Sequence, residues 1–200
     1  NSNMQTPPDG NAPSGNPPTM PGQDAADSTT TDDTTDKQPV LLITGGKITV
    51  NADGDGLDSN GDLRVEGGDI TINGPSNGGN GAIDIGTENG GAGVIAGGTL
   101  IALGASSMAE NFGSTSTQCA FLVTMNSFGA GETITITDSQ GTVLCTGVTV
   151  KSANSVVFSS ADLVVGETYT VTIGSTSATV TQSSTVVGNS NVFGGGFGRH

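Results

Sequence analysis

Three short segments of the chain repeat one pattern of apolar and polar positions. Each begins with a glycine pair and continues with apolar residues at alternate positions, as expected for β-strands with one buried face. The segments are residues 45–51, 67–73 and 97–103, and their starts lie 22 and 30 residues apart. A repeat of this length predicts coils of a parallel β-helix, in which each coil stacks on the previous one.

The repeat predicts which side chains stack. Equivalent apolar residues of successive coils are expected to form ladders that point into the core. Three ladders are predicted: Ile48, Ile70 and Leu100; Val50, Ile72 and Ala102; and Leu57, Ile83 and Met108. Asn51 and Asn73 end the first two strands at equivalent positions, which indicates a hydrogen-bonded pair.

The pattern changes beyond about residue 117. Apolar alternation continues in five segments separated by short polar turns, residues 121–125, 133–137, 142–144, 155–158 and 169–173. Residues 138–141, Asp-Ser-Gln-Gly, have the composition of a tight turn. These features predict antiparallel hairpins that cap the open end of the coils.

The chain therefore divides into four predicted parts. Residues 1–38 are a Pro/Thr/Asp-rich low-complexity segment that has little to bury by itself, so its order would require packing on the body or on a neighbouring copy. Residues 39–112 are the coils with an acidic loop, residues 113–182 are the β-rich cap, and residues 183–200 are a Gly-rich tail.

Composition and charge narrow the class of protein. Hydrophobic residues make up 32% of the 200 residues, with no Trp and one Tyr, so the core must be built from Val, Ile, Leu and Ala. The net charge of −14 and five scattered basic residues argue against binding to nucleic acid. No stretch of eighteen apolar residues exists, so no membrane span is predicted. An acidic surface suits calcium-rich extracellular surroundings, or serves solubility alone.

The acidic loop at residues 51–62 is the main candidate site. If Leu57 stacks over Ile83, then Asp58 stacks over Asp84 at about the 4.8 Å strand spacing. Two such carboxylates repel each other unless a cation lies between them, and calcium prefers carboxylate and carbonyl oxygens. The alternative is that these side chains only bond turn amides. The predicted ligand set is Asp53, Asp55, Asp58, Asn60, Asp62, Asn80 and Asp84.

The remaining reactive residues give few further candidates. Cys119 and Cys145 lie in separate strand-like segments, which predicts one disulfide of a secreted protein or, alternatively, a buried pair of free thiols. His200 ends the chain without the spacing of a triad or zinc site, so the protein is not expected to be an enzyme. Exposed aromatic residues that would stack on sugar rings are expected to be nearly absent, with Phe112, Phe128 and Tyr169 the only plausible ones, which favours acidic, calcium-bridged glycans over cellulose.

Residues 48–62, 65–68, 73–75, 79–84 and 97–102 together resemble a family of secreted bacterial carbohydrate-binding domain-containing proteins, and the resemblance covers about residues 41–174. It implies a right-handed parallel β-helix similar to that of pectate lyases, bound calcium, and binding of cellulose or acidic polysaccharide without established cleavage. Asp53, Asp55, Asp58 and Asp84 carry the acidic pattern of the family. The expected fold is all-β, with right-handed parallel β-helix coils followed by an antiparallel cap.

Three functions follow as hypotheses. The first is a secreted or cell-surface, calcium-stabilised module that binds polysaccharide. The second is a self-assembling extracellular filament or matrix subunit, a homo-polymer whose N-terminal segment packs on a neighbouring copy. The third is a polysaccharide lyase, for which Lys47 and Arg64 are the basic residues of the coil region.

Overall fold

The computed structural model describes residues 38–188, and it is built from β-strands. The predicted all-β class is confirmed. Two 3-10 turns, Thr87–Asn89 and Ser106–Met108, interrupt the strands, and neither is long enough to cross a membrane. The strands are β1 (Val40–Asn51), β2 (Leu57–Ser59), β3 (Asp62–Asn73), β4 (Ile83–Ile85), β5 (Gly93–Ile95), β6 (Thr99–Gly104), β7 (Ala120–Phe128), β8 (Thr133–Thr137), β9 (Val143–Val148), β10 (Ala153–Ser159), β11 (Thr168–Ile173), β12 (Thr176–Thr181) and β13 (Val186–Val187).

The main sheet is mixed. Its strand order is β1-β3-β6-β10-β7-β13, with β5 also paired to β3. Strands β1, β3 and β6 run parallel, whereas β10 is antiparallel to both β6 and β7. A small parallel sheet joins β2 to β4, and a four-stranded antiparallel sheet has the order β12-β11-β8-β9. The antiparallel strand β10 thus covers the edge of β6 that the parallel strands leave open.

The parallel registers agree with two of the predicted ladders. Ile48 pairs with Ile70 and Ile70 with Leu100, while the next inward position joins Val50, Ile72 and Ala102. Asn73 Nδ2 donates to Asn51 Oδ1 at 2.7 Å, as predicted. Alternate side chains of β1 and β3 face one apolar core, whereas β6 is buried on both faces, with Leu100 and Ala102 in that core and Ile101 and Leu103 in a second one.

The third ladder was wrong in one member. Leu57 pairs with Ile83, as predicted. Met108, however, lies in a 3-10 turn and is 42% exposed. The next residue, Ala109, is 5% exposed and packs in the same core as Leu57 and Ile83. The 3-10 turn shifts the inward position by one residue along the chain, so Ala109 rather than Met108 points into the core.

Close approach between neighbouring parallel strands explains the first glycine of two of the glycine pairs. A Cβ at Gly97 would lie 2.4 Å from the carbonyl oxygen of Glu66, and one at Gly67 would lie 2.7 Å from that of Thr44. Real Cβ atoms do not approach backbone oxygens so closely. Glycine at these positions lets β3 lie directly against β1 and the segment before β6 lie directly against β3.

The antiparallel strands enclose a second core around three aromatic rings. Phe121 and Phe158 lie 5.6 Å apart between ring centroids, and Phe121 and Tyr169 lie 6.2 Å apart. All three are at most 1% exposed. The predicted turn joins β8 to β9, where Asp138 Oδ1 accepts hydrogen bonds from the backbone N–H groups of Gln140 and Thr142.

Two further predictions concern the ends of the chain and the cysteines. Those for residues 1–37 and 189–200 lie outside the described residues. Cys119 and Cys145 are both free, in contrast to the predicted disulfide. Each thiol is half-buried against the second core, and burial raises the pKa of both.

Candidate functional site

The central feature of the candidate site is the pair Asp58 and Asp84. Strands β2 and β4 run parallel, and their register sets Asp58 directly beside Asp84, between Leu57–Ile83 and Ser59–Ile85. Because neighbouring residues of a strand point to opposite faces, the flanking residues turn into the core and both carboxylates turn outward. The sequence predicted this stacking.

Three more carboxylates complete what we call the acidic group: Asp55, Asp58, Asp84, Glu88 and Glu110. Burial raises the pKa of Asp84, and the charges of Asp55, Asp58 and Glu88 raise it further. Burial also raises the pKa of Glu110, against the opposing effect of its hydrogen bond from Ile85, and Asp84, Glu88 and Asp55 add to the rise. The five side chains therefore act electrostatically as one negative site.

No basic side chain of residues 38–188 is paired with this site. Lys47 pairs with Asp69 at 3.7 Å, Arg64 with Asp62 at 2.8 Å, and Lys151 with Asp53 at 2.6 Å. These three are all the lysines and arginines in the described part of the chain. The carboxylates of the acidic group therefore repel one another, and no basic side chain among the described residues neutralises them.

Backbone amides orient two of the carboxylates. The N–H of Gly81 donates to Asp55 Oδ1 at 2.7 Å, and the N–H of Ile85 donates to Glu110 Oε2 at 3.0 Å. With the side-chain amide of Asn80 turned so that its nitrogen faces Asp55, it donates to Asp55 Oδ2 at 3.2 Å. Asn80 thus contacts the acidic group as a hydrogen-bond donor.

A sequence signal for Glu110 existed and was missed. Asp58, Asp84 and Glu110 are each 26 residues apart, and each directly follows an inward residue, Leu57, Ile83 or Ala109. The same one-residue error that placed Met108 in the ladder concealed Glu110. Glu88 has no such periodic signal, because it lies in the 3-10 turn that follows β4.

The structure distributes the other predicted ligands elsewhere. Asp53 is fully exposed and bonds Lys151, which lowers its pKa. Asp62 bonds Arg64, which lowers its pKa, and accepts from the N–H of Ala92 at 3.0 Å. For Asn60, the contact seen is at its backbone, where the carbonyl accepts from Asn89 Nδ2 at 3.4 Å.

Within residues 38–188, no three His, Cys, Asp or Glu side chains are already arranged as a metal site. Of the seven predicted ligands, Asp55, Asp58 and Asp84 belong to one acidic group and Asn80 contacts it. The group contains oxygen atoms only, which is the donor type that calcium takes and that zinc and copper sites generally do not.

A cleft of about 480 Å³ adjoins the acidic group. Ile85, whose N–H holds Glu110, lines it, as do Thr87 and Asn111, the chain neighbours of Glu88 and Glu110. The rest of its lining is mostly small residues, such as Gly91, Ala92 and Gly93, together with Phe112 and Val186. None of the five carboxylates lines the cleft itself, but Ile85, Thr87 and Asn111 contact them or neighbour them in the chain.

The three candidate aromatic rings are buried. Phe112, Phe128 and Tyr169 are only 4%, 3% and 1% exposed, so none of the three plausible candidates presents its ring to a sugar. Phe112 packs in the first core, and the other two pack in the second. Each ring is needed to fill a core that holds few large side chains.

Comparison of the chain with protein-family models, with curated proteins and with solved structures found no match.

Proposed function

We propose that this protein is an extracellular, calcium-stabilised module that binds acidic polysaccharide. The observation that carries the proposal is the acidic group, in which Asp84 is stacked beside Asp58, burial and neighbouring carboxylates raise the pKa of Asp84 and Glu110, and no basic partner lies in the described residues. A cation that binds there relieves the repulsion and stabilises the folded chain.

Calcium is the cation that suits this group best. It takes six to eight oxygen ligands in flexible geometry, including carboxylates, carbonyls and water. Asp58 and Asp84 supply the central pair, and Asp55 and Glu110 are already oriented by backbone amides. We propose that small rotations of these side chains close the site around the ion, with water and loop carbonyls as further ligands.

The finer architecture belongs to the same proposal. The parallel pairing of β1, β3 and β6 in one sheet, and of β2 and β4 in another, supports short β-helix coils with right-handed connections. In that arrangement the acidic group runs along one side of the stacked coils. A linear polymer that lies along this side meets one carboxylate from each coil.

Acidic polysaccharide is favoured over cellulose. Binding to the flat face of cellulose generally uses exposed aromatic rings, and the three candidate rings are buried. A uronate carboxylate instead completes the coordination of a calcium ion that the acidic group holds, and the adjacent cleft accommodates the sugar. Negatively charged protein and negatively charged glycan would then associate only through the metal.

Calcium titration by calorimetry and thermal melting tests the metal step. We expect bound calcium to raise the melting temperature, by about 5–10 °C at calcium a hundredfold above its dissociation constant. The double variant Asp84→Asn with Glu110→Gln should lose most of this rise. The charge-matched control, Asp69→Asn with Glu66→Gln, changes exposed residues outside the acidic group and should keep it. Equal shifts in both variants would place the ion elsewhere.

Glycan binding is tested with polygalacturonate, cellulose and a neutral soluble glucan, each with calcium and with chelator. We expect retention on polygalacturonate only, and only with calcium. Binding to cellulose in chelator, or to no polymer at all, contradicts the proposal. A calcium-dependent stability gain without glycan binding would leave a purely structural metal site.

The filament hypothesis remains the second candidate. Its N-terminal contact involves residues 1–37, which lie outside the described residues. The observation in its favour is the outer edge of β1, which no strand among residues 38–188 covers, since exposed edges recruit further strands. Electron microscopy of concentrated protein tests it, with filaments expected if copies add at both ends of the coils.

The lyase hypothesis has the least support from the geometry. Lys47 and Arg64 each pair with an exposed or partly exposed carboxylate, Asp69 and Asp62. Neither pairs with a member of the acidic group. Release of unsaturated products from polygalacturonate, followed by ultraviolet absorbance, would establish lyase activity.

A further inference from the structure

Strand β1 presents the long open edge of the main sheet. It is first in the strand order, and among residues 38–188 only β3 pairs with it. Val40 and Leu42 are 52% and 50% exposed. The inward residues Leu41, Ile48 and Val50 are only partly buried, whereas their partners in β3, Leu63, Ile70 and Ile72, are 0% exposed. An apolar twelve-residue edge of this kind is expected to pair with another strand.

Gly45 provides an independent sign that backbone lies against this edge. It matches Gly67 and Gly97 in the repeat, and those two must be glycine because the preceding coil approaches within 2.7 Å and 2.4 Å of their missing Cβ. At Gly45 nothing among the described residues lies within 4 Å, and its φ is not positive. The described residues therefore give no steric or conformational reason for a glycine at position 45, and its match to Gly67 and Gly97 in the repeat is what points to backbone packed against β1.

We propose that this strand is β1 of a second copy of the chain, paired antiparallel about a two-fold axis through Gly45 and Gly46. In such a pair, the β1 edge of one copy lies against the β1 edge of the other, and the core-facing sides of the two sheets must lie on the same side of the joint sheet. Only antiparallel strands satisfy both conditions. The contact is isologous and closes after two copies.

The residue pattern of β1 is self-complementary in this register. Centring on the glycine pair sets Leu41 opposite Val50 and Ile43 opposite Ile48. Before the glycine pair the inward residues of β1 have odd numbers, and after the pair they have even numbers. The two-fold axis exchanges these two sets, so that all four apolar side chains stay in the core. A shift by one residue would set inward side chains opposite outward ones.

Charge also permits the contact. The chain carries a net charge of −14, yet β1 contains no carboxylate, and its one charged residue is Lys47. Two copies can therefore approach through β1 without opposing carboxylates at the interface. In the proposed register each Lys47 lies opposite Thr44 of the other copy.

Sedimentation of the full chain in chelator, without glycan, tests the proposal independently of calcium and sugar binding. We expect a concentration-dependent species of twice the 19.6 kDa chain mass. Gly45→Leu should leave a folded monomer, because the new side chain meets open space in one copy and backbone in the pair. Gly54→Leu is the control, since Gly54 also has open space and no positive φ but lies outside β1.

A charge substitution tests the register itself. Thr44→Glu sets a carboxylate opposite Lys47 twice in the pair, so it should tighten association by about two- to tenfold. Thr49→Glu adds the same charge opposite Leu42 and should not tighten it. Equal effects of the two variants would overturn the register.

Other outcomes overturn the pairing as a whole. These are a monomer at every concentration, a dimer that Gly45→Leu does not weaken, and an open filament. A monomer whose β1 amides resist hydrogen exchange would mean that another segment of the same chain, such as residues 1–37, covers the edge.

Discussion

The parallel and antiparallel parts of the described chain use glycine for different physical reasons. Gly97, in the parallel part, has an ordinary backbone conformation but lies against the carbonyl of Glu66 from the coil before it. Gly141, in a hairpin of the antiparallel part, has open space around it but a φ of +83°. The first is required by a contact between distant residues and the second by the geometry of one turn. Coil stacking is thus a long-range property, whereas the hairpins are specified locally.

Carboxylates show the same contrast. Asp84 in the parallel part has its pKa raised by burial and by like charges from other coils and loops. Asp138 in the antiparallel part has its pKa lowered, mainly by the backbone N–H of Thr142 in its own turn. An aspartate that closes a hairpin is stabilised in its charged form by its neighbours in sequence. The charged form of an aspartate in the acidic group is instead destabilised by like charges from segments that the fold places beside it.

The largest effect is expected from Phe158→Ala. Phe158 is fully buried, and its strand β10 pairs with both β6 and β7. Removing the ring should cost about 3–5 kcal/mol of unfolding free energy. Because β10 joins the two parts, hydrogen exchange should accelerate in both. Protection retained in β1 and β3 alone would show that the parallel part folds independently, and the exposed Val148→Ala serves as the control.

Comparing the unfolding free energies of Gly97→Ala and Gly45→Ala tests the close approach of neighbouring strands. The first change forces a Cβ toward the carbonyl of Glu66 and should cost about 1–3 kcal/mol. The second, at the equivalent position in β1, meets open space and should be neutral or stabilising by about 0.4–1 kcal/mol in the dilute monomer. Denaturant unfolding measures both. Equal losses would remove the contrast between the first coil and the later ones.

Gly141→Ala tests the local requirement of the hairpin. A Cβ at a left-handed position should cost about 1–2 kcal/mol. Asn tolerates this conformation better than Ala, so Gly141→Asn should recover part of the loss. Thermal melting of the two variants gives the comparison. An alanine variant as stable as the original chain would mean that the turn adopts another conformation.

The smallest effect is the pH dependence of the acidic group. The folded-state pKa values of Asp84 and Glu110 are raised above their ordinary 3.8 and 4.5. In chelator, the folded protein holds protons that the unfolded chain has released, so stability falls as pH rises from about these values through the raised pKa values. Asp84→Asn with Glu110→Gln should flatten this fall and melt higher than the original chain near neutral pH.

The control for this measurement is Asp69→Asn with Glu66→Gln, which should keep the original slope. Asp138 contributes in the opposite sense. Its lowered pKa adds stability that is lost only as pH falls below about 3.8, outside the range that tests the acidic group. A rise of stability in chelator as pH rises above the ordinary carboxyl pKa values of 3.8 and 4.5 would contradict the assignment of a repulsive carboxylate group.

Much of the fold was predictable because the spacing of glycine pairs and apolar residues in the sequence indicates which parallel strands pair. The registers of Ile48, Ile70 and Leu100, and the pairing of Asp58 with Asp84, follow from counting residues between glycine pairs and apolar positions. The error at Met108 shows the limit of counting. A 3-10 turn changed the phase by one residue, and Ala109 took the inward place.

Less of the candidate site was predictable. All seven predicted ligands are polar loop or strand residues that look equivalent in sequence, yet Asp53 is drawn to Lys151, 98 positions away. Glu88 joins the acidic group from a 3-10 turn that carries no repeat. Spacing cannot reveal such contacts, because ion pairs form between whichever side chains the folded surface brings together.

By itself the sequence determined the all-β class, the parallel registers and the stacked aspartates, since period and alternation dictate which residues share a face. Only the tertiary structure decided that β10 would cover the edge of β6, and that within residues 38–188 the outer edge of β1 would have no partner strand and some of the carboxylates no basic partner. Those outcomes depend on contacts between segments far apart in sequence, where the free energy of burial and charge pairing outweighs any local preference.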